Sequence, residues 1–128
     1  MFSHVMIGTN DIRRSKAFYD AVLGTLGVHP GHEDKQPDKH RVFWRTKTGV
    51  FGVSVPIDGQ PASCANGATI GFACETPEQV HAWHAAGLAN GGVAIEDPPG
   101  LRPGPSGFYL AYLRDPDGNK ICAMHRTK

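Results

Sequence analysis

Two periods run through the chain, one near two residues and one near 3.6. Phe18, Tyr19, Val22, Leu23 and Leu26 recur at helical spacing, with Arg13, Arg14, Lys16 and Asp20 off that stripe. Thr9-Asn10-Asp11 precedes them and can accept from free first-turn N–H groups, and Gly27 is placed to end the helix. Before this helix, Phe2–Ile7 reads as a short strand with His4, Met6 and Gly8 on one face. After it, Val28–Glu33 reads as a weak polar strand and Asp34–Lys39 as a charged loop. Arg41–Thr46 follows as a strand, with Val42 and Trp44 on one face and Phe43 on the other. Val50–Ile57 continues with Phe51, Val53 and Val55 in register.

Beyond the small, polar linker Asp58–Asn66 the order begins again. Ala68–Cys74 is a strand. Thr76 can cap a helix, Pro77 suits its first position and Gln79 can reach back. Val80, Trp83, His84, Gly87 and Leu88 form its inward stripe, and Gly91-Gly92 ends it. Val93–Glu96 is a short strand, and Asp97–Gly107 reads as a Pro/Gly loop without regular structure. Phe108–Leu113 and Ile121–His125 are strands joined through Asp115-Pro116-Asp117-Gly118-Asn119, where Pro116 presets a turn and Gly118 suits positive φ. On the last strand Lys120, Cys122 and Met124 share one face.

Shifted by 65 residues, the halves superimpose: Ala17-Phe18 falls on Ala82-Trp83 and Gly27-Val28 on Gly92-Val93. Each half is ordered strand, helix, three strands. The expected fold is therefore α+β: two tandem βαβββ modules whose curved mixed sheets surround a groove, with helices outside. The expected boundaries are 1–57 and 67–128, with 58–66 as linker, in one domain of 128 residues. Such a groove is a natural small-molecule site. The repeat sets His4 on Thr69, and pairs Cys122 with Val53 or Val55.

Composition narrows the partners. A formal charge of +1 and no basic stripe give no reason to expect nucleic acid. No apolar run has the roughly 18 residues of a membrane helix, and the opening MFSHVMIG lacks signal-peptide grammar. Cys64, Cys74 and Cys122 form no CxxC pair and read as reduced thiols of a cytoplasmic protein.

The opening HVMIGTNDIRRSKAFYDAVLGTLG, the late RDPDGNKI and GLRPG before the last hairpin resemble the vicinal oxygen chelate superfamily. That superfamily comprises glyoxalases, bleomycin-resistance proteins and extradiol dioxygenases, and the resemblance points to a glyoxalase-like branch. It covers the whole chain and is more specific for fold than for reaction. It implies a homodimer, in one branch with a groove completed across subunits. It also implies metal ligands at three motif positions, occupied here by His4, Thr69 and Cys122. Only His4 is a usual ligand; the extra carboxylate of some lyases has no counterpart at Val53 or Val55. The expectation is therefore no cofactor, with a divalent metal only if His4 and Cys122 supply an N/S pair.

His4 and Cys122 are the catalytic candidates, and Thr69, Arg102 and Tyr109 the groove or ligand-binding candidates. Arg102 could clamp an anion if its loop folds over the groove. Three functions remain open. One is a glyoxalase-like lyase or dioxygenase with a degraded metal triad. The second is a non-catalytic small-molecule or drug-sequestering protein, although a cationic drug such as bleomycin finds no overall acidity here. The third is a metal-free Cys/His enzyme.

Overall fold

A computed structural model describes residues 1–128. Strand β1 (His4–Gly8) leads into helix α1 (Ile12–Gly24), then β2 (His32–Lys35), β3 (His40–Thr46) and β4 (Gly49–Ser54). The second module repeats the order with β5 (Ile70–Ala73), α2 (Pro77–Ala89), β6 (Val93–Leu101), β7 (Phe108–Arg114) and β8 (Lys120–Arg126). Each module makes a four-stranded mixed sheet, ordered β1-β4-β3-β2 in the first and β5-β8-β7-β6 in the second. The outer strand of each parallel pair, β1 or β5, lies beside the last strand of its module.

The helix ends follow local chemistry. Asp11 accepts from the Arg14 N–H and Thr76 from the Gln79 N–H, each closing the first turn of its helix. Gln79 also reaches back to accept from the Glu75 N–H. At the end of α1, Val28 N–H bonds Leu23 O and Gly27 N–H bonds Gly24 O, the paired closure expected of a helix-ending glycine.

Alternation decides what each sheet buries. Val42 and Trp44 of β3, and Phe51 and Val53 of β4, face Phe18, Tyr19, Val22 and Leu23 of α1. Ala111, Leu113, Ile121 and Ala123 line the corresponding side of the second sheet, with Val80 and Trp83 of α2. The helices also pack on each other, so one continuous core joins both modules. Leu88, expected on the inward stripe of α2, is 47% exposed, and Val80, Trp83 and Gly87 carry the contact instead.

Two strands depart from the sequence reading. β2 lies at His32–Lys35, across the boundary between the expected weak strand Val28–Glu33 and the expected charged loop. It is an edge strand paired only with β3, so its polar side chains meet solvent. β6 continues to Leu101, through the stretch read as irregular. Its pairing to β7 slips between Ile95 and Gly100, and an edge strand with such an irregularity tolerates Pro98 and Pro99.

Candidate functional site

The free face of the first sheet, opposite α1, forms an open cleft of about 560 Å³. Met6, Phe43 and Val50 supply its apolar surface, because each points away from the core in the period-two pattern of its strand. His4, Arg41, Arg45, Ser3 and Ser54 supply the polar groups. The Ser3 hydroxyl lies 2.8 Å from His4 Nδ1. Gly52 lies between Val50 and Ser54, and a Cβ there would collide with the end of the Met6 side chain, which would have to move.

The free face of the second sheet is built differently. Cys122 lies beside Gly71 on one side and Tyr112 on the other. The Tyr112 ring takes the Lys120 ammonium 4.9 Å from its centre and the Arg102 guanidinium at 5.9 Å. Lys120 also pairs with Glu96. Burial pushes the Cys122 thiol above its ordinary range, opposed by the Lys120 charge. The thiol is therefore neutral near pH 7 and is not an activated nucleophile.

The sequence-derived candidates separate. His4 lines the cleft of the first sheet, whereas neither Thr69 nor Cys122 does. Thr69 is exposed just before β5. Tyr109 is on the opposite face from Cys122: it packs against the core and its hydroxyl bonds His81 Nε2 of α2 at 2.6 Å. The Arg102 guanidinium donates to the carbonyls of Asp97, Pro98 and Gly100. It ties the irregular half of β6 together. The repeat partner of Cys122 is also revised. Met6 pairs with Gly52 and Gly71 with Cys122, so Gly52 is the equivalent position; Val53 faces the core.

These donors do not fit a divalent-metal centre. No three His, Cys, Asp or Glu side chains are grouped to hold an ion, whereas a catalytic zinc takes three protein donors. His4 is the one imidazole of the cleft, and one neutral thiol on the second sheet does not complete a set.

The Asp-Pro-Asp-Gly-Asn turn has a role that turn grammar alone missed. Asp115 is 3% exposed and accepts from the Tyr19 hydroxyl at 2.6 Å, the N–H groups of Asp117 and Asn119, and the Asn119 amide. Asp117 accepts from the Thr9 hydroxyl at 2.6 Å, Asn10 N–H and Arg14. Gly118 takes φ +93°, as the turn requires. The motif therefore bonds the second module to the start of α1 in the first. Burial, and next the Asp115 charge, hold the Tyr19 phenol well above its ordinary range, so its hydroxyl remains a donor. The only sequence signal for this tie was two carboxylates in a turn where one would suffice.

Exposure sorts the thiols as well. Cys64 is exposed, while Cys74 and Cys122 are buried and burial pushes Cys74 to about 11. A thiol reagent at neutral pH should label Cys64 at least about tenfold faster than the other two in the native protein. Equal labelling of Cys122 would mean that the free face of the second sheet opens readily. Mass mapping of the labelled peptides decides between them.

The sequence model described as Glyoxalase/Bleomycin resistance protein/Dioxygenase superfamily matches residues 1–123. No curated protein matches the sequence. Among solved structures, a glyoxalase/bleomycin resistance protein from Albidiferax ferrireducens T118 is 58% identical over 98% of each chain, with a TM-score of 0.88. A glyoxalase/bleomycin resistance protein/dioxygenase family enzyme from Burkholderia phytofirmans PsJN is 21% identical over 97% of each chain, with a TM-score of 0.71. A mutant of glyoxalase I from Zea mays is 22% identical with a TM-score of 0.71, matching 97% of this chain and 46% of that one. The last two likenesses are of fold.

Proposed function

The chain belongs to the glyoxalase/bleomycin resistance protein/dioxygenase superfamily, and from that premise we propose that it binds a small molecule without metal-centred chemistry. The observation that carries this reading is the cleft on the first sheet, whose size suits a small ligand and whose apolar surface is joined by a few polar groups. A lyase or dioxygenase would need a Lewis-acid centre to polarise vicinal oxygens. The donor set does not support one. A Cys/His enzyme would need a thiolate beside His4, and the neutral Cys122 on the second sheet does not supply it.

The working form is a homodimer in the cytoplasm. The cleft lies on one sheet and is open to solvent, so a second copy could close it with the free face of its second sheet. Free thiols suit a reducing compartment.

Methionine methyl labelling tests the binding reading. Met6 lies in the cleft, while Met124 lies on the second sheet and Met1 at the exposed terminus. A chemically diverse fragment set should include members that shift Met6 saturably and leave Met1 in place. A set that shifts no Met6 resonance would overturn the reading. Metal content is the second arm. Protein purified without an affinity tag should carry no stoichiometric Zn, Ni, Mn or Fe, and His4→Ala should change metal content little. One equivalent of metal lost with His4→Ala would replace this reading with a metal-dependent enzyme.

A further inference from the structure

The geometry points to an anion-binding subsite within that cleft, formed by Arg41 and Arg45, that takes small aromatic acids. The inference rests on the cleft being the binding site and adds the charge and shape of what enters it.

Arg41 and Arg45 stand four residues apart on β3, so both fall on the face that carries Phe43. Along a strand that spacing is roughly 13 Å between Cα atoms. The side chains are long enough to converge on a ligand lying over the ring between them. Arg45 already does so in part, with its guanidinium carbon 5.2 Å from the Phe43 ring centre. A flat apolar body would lie against Phe43 and Met6, with its acidic group toward either guanidinium.

Arg13, Lys35, Lys39, Lys47 and Arg126 lack an ion pair, as Arg41 and Arg45 do, but only Arg41 and Arg45 combine that lack with a place in the cleft wall. Arg14 is paired with Asp117, Lys16 with Asp20 and Lys120 with Glu96. Arg102 and Arg114 donate to backbone carbonyls. Arg41 makes only a long 3.4 Å bond from Nε to the Ser54 hydroxyl, and neither Arg41 nor Arg45 has a carboxylate within ion-pair distance. No Asp or Glu lines the cleft. Asp34 lies opposite Arg41 on β2, but its oxygens accept from the Gln36 amide instead. Two guanidinium forks in a concave surface without an acid favour carboxylates and disfavour cations.

Three probes with one ring system separate charge from shape: 1-naphthoate, neutral 1-naphthamide and cationic 1-naphthylmethylammonium. Each is titrated into the full chain and read by the Met6 methyl shift and by calorimetry. Naphthoate should bind at least tenfold more tightly than the amide, and the cation more weakly than either. Raising salt should weaken naphthoate binding and leave the amide unchanged. Arg41→Gln with Arg45→Gln should remove at least tenfold of the naphthoate affinity, and clearly less of the amide affinity, at unchanged Tm.

Equal binding of naphthoate and naphthamide would overturn the anion subsite and leave the cleft as a binding site. So would full naphthoate affinity in the double variant. No naphthoate binding up to its solubility limit would also overturn it. The broad fragment set then decides separately whether the cleft binds anything.

Discussion

Asp115→Ala should destabilise the protein by about 4 kcal/mol and lower Tm by roughly 15 °C. The carboxylate is 3% exposed and receives bonds from Tyr19 of α1 and from two N–H groups of its own turn. Removing it leaves the fully buried Tyr19 with a hydroxyl donor and no acceptor. It also frees the Asp117 and Asn119 N–H groups that shape the turn. Each stranded donor costs about 1–3 kcal/mol. Because the turn positions Asp117 against Thr9, Asn10 and Arg14, the loss spreads into the first module. Asp115→Asn keeps an acceptor and should lose about half as much. A double-mutant cycle with Tyr19→Phe isolates the contact between modules, with an expected coupling of at least about 1 kcal/mol. Additive effects would show that the hairpin holds itself together and that Asp115 does not join the halves.

The second large effect is expected at Trp83. Its side chain is fully buried in the core shared by both modules, 6.4 Å from the Phe72 ring. Trp83→Ala should cost about 3–5 kcal/mol in urea unfolding, through lost burial and the cavity left behind. Trp83→Phe should cost about 1 kcal/mol. It keeps an aromatic ring in the site and removes an indole N–H for which no group of the chain is an acceptor. Equal losses in the two variants would mean that the indole shape, rather than ring burial, is what this core requires. Nothing in the structure accounts for the second buried polar atom without a partner, the Ser15 hydroxyl.

The fold was legible wherever neighbours in sequence carry the information. Phe18, Tyr19, Val22 and Leu23 declare the buried side of α1 by spacing, and all four are buried. Thr76, Pro77 and Gln79 mark the start of α2 by side-chain chemistry that acts within one turn. β6 was not legible beyond Glu96, because prolines have no strand signature of their own. There the ladder to β7 and the Arg102 bonds to three carbonyls hold the backbone extended.

The site was legible only in part. His4, Met6 and Gly8 were assigned to one face by alternation, and His4 and Met6 do line the cleft. Arg41 and Arg45 were absent from the candidates, although the signal existed. They share parity with Phe43, and Phe43 lies opposite the core-facing Val42 and Trp44. Tyr109 and Arg102 were candidates that packing assigned elsewhere. Parity separates Tyr109 from Tyr112 but does not say which of the two faces α2.

By itself, then, the sequence determined the periods, the helix caps, the doubled order of elements and the identity of groups on each strand face. Those properties arise within a few residues, from dihedral preferences, side-chain spacing and local hydrogen bonds. Tertiary structure decided the register that sets Cys122 against Gly71, and the gathering of His4, Met6, Arg41 and Arg45 around one cleft. It also decided the use of Asp115 and Asp117 as a tie between modules. These depend on partners from a few tens to 108 residues away, and their energies exist only once both sheets and both helices have closed over one core.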